Sequence, residues 1–484
     1  MDEINNKKSN RVYLALKPAN CFVLKEAQIA IINWLFSRKI KGSLIANLHD
    51  LTTANYSVDK EKVLLSHLSW LGINWHDEPD DFGKHQSLRQ SFRIDIYQEY
   101  LFKLIQEFNR GALKGHLILK DQNKAENEGT LRASSSLKTR RPDSPLPITN
   151  AIEFDTRSTV ILKPYLDQDF EVTDLLHHQI KFGPEDSNEI VLWEECGKPA
   201  EIFAQAVDND SMKITHSIRS LDMLWKTKQE VIIAKSMGWS IPNYGHVPTP
   251  HNDICEEEEG HNLHSIEALR RDGYLPYSII CWLGLPELAF ECCEQHTLKG
   301  DIIQFFNLEN ISGREYDLES IQKINQIHLK TMDIESLVRC TIPFLRKLNI
   351  PVDDKEKISK VINFLRNYLS PLSALAEGAK IFFYDQHPLN DKSVRSILRK
   401  ESSQKVLWSF MRRAKTVELM SQEVFLGIMQ AVQYETGILG RDLWLPIRLA
   451  LTGTNNQYEL ALVAEILGKE QCIKRICQIV GNYW

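Results

Sequence analysis

Four consecutive glutamates, Glu256 to Glu259, followed by Gly260, stand near the middle of the sequence. A run of carboxylates repels phosphates and other anions rather than holding them. Taken alone it reads as a solvated loop. The adjacent pair His177 and His178 could suit a metal, but neighbouring side chains on a helix or strand point to different faces and lack partners at ligand spacing, so no metal site is expected. Nine cysteines are scattered without a CxxC pair and read as reduced, mostly buried thiols. No GxSxG, HExxH or GxxxxGK[ST] pattern occurs, which excludes the commonest hydrolase, zinc-protease and P-loop signatures.

The elements that must position any site follow from periodicity. Residues 11–16 read as a short buried strand, 24–38 as an amphipathic helix carrying Ile29, Ile32, Leu35 and Phe36 inward, and 43–48 as the next strand. Strand, helix and strand in that order make a βαβ unit and open a parallel sheet. Helices are expected at 58–72, ending at Gly72, and at 90–107, with Tyr97, Leu101 and Leu104 buried. Residues 121–147 are rich in Ser, Pro, Asn and charge and predict a surface loop, whose Lys124, Arg132, Lys138, Arg140 and Arg141 make either a solvated basic linker or an RNA-contacting flap. Strands are expected at 159–163, 190–193 and 202–207, then a helix at 221–237 ending at Gly238. From about residue 265 nearly every segment has helical period.

A length of 484 residues predicts roughly three domains. With 43% hydrophobic and 25% charged residues the chain can bury real cores. A formal charge of −6 gives no whole-molecule basic field for indiscriminate nucleic-acid binding, though a local basic face remains open. The polar N-terminus carries no signal-peptide pattern and no window reaches membrane-spanning length, so a cytoplasmic location without membrane partners is expected.

Several collinear runs resemble bacterial glutamyl-tRNA synthetase, a class I aminoacyl-tRNA synthetase. Asn33 to Lys39 (NWLFSRK) resembles the family's NWLFARK helix, and Leu68 to Trp75 (LSWLGINW) its LKWLGLDW segment. Phe203 to Arg219 is similar to FAVVVDDHLMGITHVIR, Gly273 to Pro276 to GYLP, and Gly437 to Lys469 to the C-terminal anticodon-binding region. The resemblance implies a Rossmann-like α/β catalytic domain followed by an all-α region. The expected divisions are 1–264, with an inserted acceptor-binding-like subdomain at about 108–200, then a helical stem-contact-like domain at 265–330 and an anticodon-binding-like domain at 331–484.

The same resemblance implies ATP-dependent glutamate–tRNA ligation, with Mg, but the motifs that carry it depart from the family. Counting back from Asn33 places the family's HVGG at Val23, Leu24, Lys25 and Glu26. Val23 cannot donate a hydrogen bond, Lys25 fills space where close phosphate approach needs glycine, and Glu26 sets a negative charge there. Counting back from GYLP places the KMSKS-type loop at Glu256, Glu257, Glu258, Glu259 and Gly260, so both lysine positions are glutamate. Losing one preorganised donor typically costs about 10²- to 10³-fold in rate. Of the amino-acid site, the arginine opening the family's first strand becomes Tyr13, the tyrosine and asparagine of PTYNFA become Glu201 and Ile202, and Asp50 and Arg219 persist as remnants.

The resulting expectation is a pseudoenzyme, without catalytic residues or cofactor, that binds tRNA or a tRNA-like RNA. Arg339, Arg346, Arg412, Arg413, Arg441 and Arg448 are the candidate RNA contacts. Two alternatives stand beside it: a protein-binding regulatory or structural subunit on the same scaffold, and a glutamate–tRNA ligase with an unorthodox site.

Overall fold

The computed structural model describes residues 10–19, 21–51, 56–75, 89–109, 115–120, 159–164, 169–183, 186, 188–249, 265–290, 292, 302–313, 315–384 and 392–480. The acidic run at 256–259 with Gly260, the basic cluster at 124–141, and Tyr483 and Trp484 lie outside the described residues. The chain divides into two compact units, one of Met1–Arg271 with Pro276–Ile321, the other of Asp272–Leu275 with Gln322–Trp484.

In the first unit the expected βαβ start is present. Strand β1 (Arg11–Leu16) leads into α1 (Leu24–Lys39) and returns as β2 (Ser43–Leu48), and the two strands pair in parallel from Arg11↔Ser43 to Leu16↔Leu48. Helix α2 (Val58–Leu71) is capped by Ser57, which accepts from the Lys60 amide, and ends at Gly72 with φ 78°, the left-handed geometry glycine adopts without strain. A 3-10 turn over Gln90–Arg93 runs into α3 (Ile94–Asn109), which buries Tyr97, Leu101 and Leu104.

Strands β3 (Gly115–Lys120), β4 (Thr159–Pro164), β7 (Ile190–Glu194) and β8 (Lys198–Pro199) form a separate antiparallel sheet in that order. Between them in sequence, β5 (Phe170–Asp174) and β6 (His178–Phe182) make a hairpin that joins the main sheet. With β9 (His216–Ser220) and β10 (Asn243–Val247) the main sheet has the order β2-β1-β9-β10-β5-β6, parallel except at the β5–β6 edge.

Three expectations need correction. Residues 202–207 are not a strand but lie in helix α4 (Glu201–Ser211), because a short continuous apolar run fits either structure and here both Phe203 and Val207, one turn apart, pack inward. The pair at 177–178 sits on neither a regular helix nor a strand interior: His177 ends the hairpin turn and His178 opens β6 with φ 62°. Cys21 is disulfide-bonded, so not every thiol is free.

Helix α5 (Leu224–Met237), preceded by a 3-10 turn at Leu221–Met223 and ended by Gly238, packs on α4. Helices α6 (Ile266–Asp272) and α7 (Pro276–Gly284) follow. Gly284 is required for close approach: a Cβ there would lie 2.6 Å from Leu35 and 3.0 Å from Ile31 on α1.

The second unit is helical, with helices at Ile334–Lys347, Lys355–Leu365, Leu372–Phe383, Lys392–Leu398, Glu401–Ala414, Gln422–Thr436, Arg441–Thr452 and Leu460–Val480. Asp333, Asp354 and Ser421 cap three of these N-termini by accepting from backbone amides. One core holds Leu337, Phe364, Phe382, Phe410, Phe425, Ile447 and Ile476. Within it Arg475, 1% exposed, donates to the carbonyls of Leu451, Ile381 and Tyr384 and ties separate helix ends together.

Candidate functional site

A cavity of about 300 Å³ opens in the first unit beyond the C-terminal ends of β1 and β9, beside the N-terminus of α1. In an open parallel sheet this is where ligands bind, because the chain leaves neighbouring strands in opposite directions and parts there. The floor comes from Tyr13, Ala15 and Ser217 to Ser220, and one wall from Val23, Lys25 and Glu26.

The first turn of α1 follows from its sequence. Val23 occupies the cap position with extended backbone and makes no side-chain cap bond, so the helix start relies on its main chain. Leu24 is buried in the core, while Lys25 extends its ammonium to Asp222 Oδ2 at 2.9 Å, and Glu26 adds a carboxylate in the first turn. The N-terminal dipole favours an anion here, but Glu26 already supplies that charge and Lys25 is paired.

Deeper in the cavity the charges are paired among themselves. Glu201, the first residue of α4, accepts from Lys17 Nζ at 2.5 Å through one oxygen and from Lys226 Nζ at 2.7 Å through the other. Burial raises the Glu201 pKa, but the two ammonium groups outweigh it and bring it down to about 2. Arg219 forms a bidentate pair with Glu230 at 2.9 and 3.0 Å and lies over the Tyr244 ring at 4.9 Å. Burial opposes the Arg219 charge, Glu230 more than compensates, and its pKa is raised.

Behind Arg219 runs a buried relay: Arg219 donates to Thr227 Oγ1 at 3.1 Å, Thr227 meets His246 Nε2 at 2.9 Å, and His246 Nδ1 meets Asp174 Oδ2 at 2.7 Å. The hydroxyl, imidazole and carboxylate have the composition of a nucleophilic triad. Thr227, His246 and Asp174 are nevertheless nearly inaccessible, and the relay holds Arg219 in place. His177 Nε2 also contacts the His246 carbonyl, at 2.9 Å.

Tyr13, where the resemblance expects arginine, is a buried phenol at 3.0 Å from His49 Nε2. Burial, followed by the Lys17 charge, lowers the His49 pKa to about 3, so the ring is neutral. Its Nδ1 is buried, has no hydrogen-bond partner among the described residues, and lies 4.0 Å from Glu201 Oε1.

The sequence-derived residues thus separate. Val23, Lys25, Glu26 and Arg219 line one cavity, and Glu201, Lys17, Lys226 and His49 complete it. Asp50 has a different position: its carboxylate accepts from the Ser91 amide at 2.8 Å and the Ser91 hydroxyl at 2.5 Å, bracing the turn before α3. In the second unit Arg412 and Arg413 both pair with Glu435, the latter at 3.0 Å. Arg448 donates to the carbonyls of Asn456 at 2.8 Å and Tyr458 at 2.6 Å. Arg339, Arg346 and Arg441 are exposed on helix surfaces. Sequence reasoning missed the two lysines around Glu201, since nothing local marks Lys17 or Lys226.

A parallel sheet of this order with a cleft at its switch point defines a Rossmann-like class I catalytic domain, followed by a helical domain. The profile for class I tRNA synthetases (E and Q), catalytic domain, matches residues 24–325, and the anticodon binding domain profile matches 336–480. The chain belongs to the class I tRNA synthetases of the glutamate and glutamine group. It is 27% identical over 470 residues to a glutamate–tRNA ligase of Sulfurihydrogenibium sp. (strain YO3AOP1), covering 95% of this chain and 97% of that one. A glutamate–tRNA ligase of Bacillus cereus is 26% identical over 489 residues, covering 98% and 100%. Among solved structures, a glutamate tRNA ligase of Elizabethkingia meningosepticum in complex with its amino acid has a TM-score of 0.79 at 20% identity, covering 99% of this chain and 100% of that one. Among the described residues no helix is long and apolar enough to cross a membrane.

Proposed function

We propose that this chain is a glutamyl-tRNA synthetase-like protein that binds a glutamate-type tRNA, or an RNA of similar form, without activating glutamate. The observation that carries this reading is the closed charge balance of the cleft. Lys17 and Lys226 are engaged by Glu201, Arg219 by Glu230 and Lys25 by Asp222, so the cations that line it meet carboxylates of the chain itself. The first turn of α1 adds Glu26 where a polyphosphate would approach, and the sequence offers Glu256 to Glu259 in place of the family's activating lysines. The match of residues 336–480 to the anticodon-binding profile supports the RNA half of the reading.

An ATP–pyrophosphate exchange assay with glutamate tests it. No exchange above background is expected, and replacing Glu256 and Glu259 by lysine should not restore it, because Val23, Lys25 and Tyr13 remain. Exchange within about tenfold of an ordinary synthetase, a loss smaller than one missing donor causes, would overturn the proposal.

A further inference from the structure

Lys17 follows β1, Lys226 lies in the first turn of α5, and Glu201 opens α4, so three separate elements bring two ammonium groups and one carboxylate to a single point in the cleft. The side chains remain partly open to solvent, at 33%, 18% and 25% exposure respectively. This is an arrangement a small carboxylate entering from outside would also satisfy: two cations at bonding distance and, 4.0 Å from Glu201 Oε1, the buried Nδ1 of His49, which has no hydrogen-bond partner among the described residues. Arg219, another cation of the cleft, is taken by Glu230.

We propose that Glu201 is a built-in carboxylate ligand, which fills the cationic seat between Lys17 and Lys226 and so determines that the cleft rejects free small carboxylates, amino acids among them. Without Glu201 two ammonium groups would face each other across the vacated seat with no counter-charge, and like charges at such separation favour an outside anion. A dissolved carboxylate competing in the intact protein has to displace one that is tethered, and tethering gives the resident group a high effective concentration. The inference deepens the proposed loss of glutamate activation and is read by binding rather than turnover.

The test uses the full chain and its Glu201→Ala and Glu201→Gln variants, with L-glutamate titrated by calorimetry. Melting temperature is followed in acetate against chloride at matched ionic strength. Glu201→Ala should bind glutamate at least about tenfold more tightly than the parent, since a vacated paired seat leaves uncompensated charge. Its melting temperature should rise with acetate while the parent's does not. Adding Lys226→Met should abolish both gains. If Glu201→Ala fails to fold, Glu201→Gln, which keeps the volume and removes the charge, should show the acetate response. Equal glutamate affinity and equal acetate response in parent and variants would overturn the inference. Tight glutamate binding by the parent without exchange would sink this inference alone, whereas exchange by the parent despite weak binding would sink the proposed loss of activation alone.

Discussion

His49 shows how one residue of the cleft couples it to pH. The folded ring is held neutral with a pKa lowered from 6.5 to about 3, by burial first and by Lys17 second. In the unfolded chain it protonates near 6.5, so between those values the unfolded state binds the extra proton and stability falls as pH falls. Its contribution is complete above the unfolded pKa and is lost progressively toward the folded one. Comparing about pH 7 with about pH 5, this one group accounts for roughly 2 kcal/mol. In urea titrations His49→Gln should lose less stability than the parent over that interval, by about that amount. An identical loss in both proteins would show that His49 titrates normally in the fold. Glu201 acts in the same direction at lower pH: its depressed pKa contributes stability present above 4.5 and lost as pH approaches about 2.

The runs that most resemble the family serve largely to dock elements. Asn33 donates to the Ile29 carbonyl at 2.9 Å and to the Ile218 carbonyl at 2.8 Å, fastening α1 to β9. Trp34 Nε1 and Arg38 both donate to Asn74 Oδ1, at 3.0 and 2.7 Å, so the run at 33–39 is tied to the one at 68–75. Asp208, inside the run at 203–219, is fully buried and gathers Asn47, Gln90, Arg93 and Tyr97 at 2.8 to 3.1 Å. A buried carboxyl group so surrounded fixes the position of α3 against α4, because leaving any partner unmet is costly. The same logic of close docking gives a test at Gly284. Gly284→Ala places a methyl group against Leu35 and Ile31, both fully buried, and overpacking of this kind costs about 1–3 kcal/mol. Thermal or urea unfolding should show that loss, and an unchanged midpoint would mean that α7 shifts away from α1 freely.

At the scale of the whole chain, RNA binding should appear as a salt-dependent affinity, since each phosphate neutralised releases counterions. Arg339 and Arg346 lie two turns apart on one face of the helix Ile334–Lys347, both exposed. Reversing both to glutamate should weaken binding of a glutamate-type tRNA and reduce the slope of log affinity against log salt by about 2. Arg448→Ala should instead lower the melting temperature, because that guanidinium holds the backbone after its helix. Arg412 and Arg413 share Glu435 and present less net charge than the sequence count implies. Gel-shift titrations of the full chain at several salt concentrations check these outcomes. If the parent shifts no cellular tRNA at low salt, the protein-partner reading takes its place.

Local pattern determined much of this molecule. The period of apolar residues placed β1, α1 and β2, and glycines 72 and 238 marked helix ends with φ of 78° and 67°. Collinear runs carried the family, because packing constraints are written into contiguous segments. Residues 202–207 form a short apolar run that satisfies either period, and only packing of α4 against α5 selects the helix. Asp50 and Arg219 were legible as polar residues in a matched segment, but not as a brace for Ser91 and a partner of Glu230. The cleft's charge balance lay wholly beyond local reading: Lys17 and Glu201 are 184 positions apart, and Glu201 and Lys226 are 25 apart. Periodicity reports which way a side chain faces within its own element, whereas pairing of charges depends on where separate elements converge, and that is decided only when the sheet and its helices assemble.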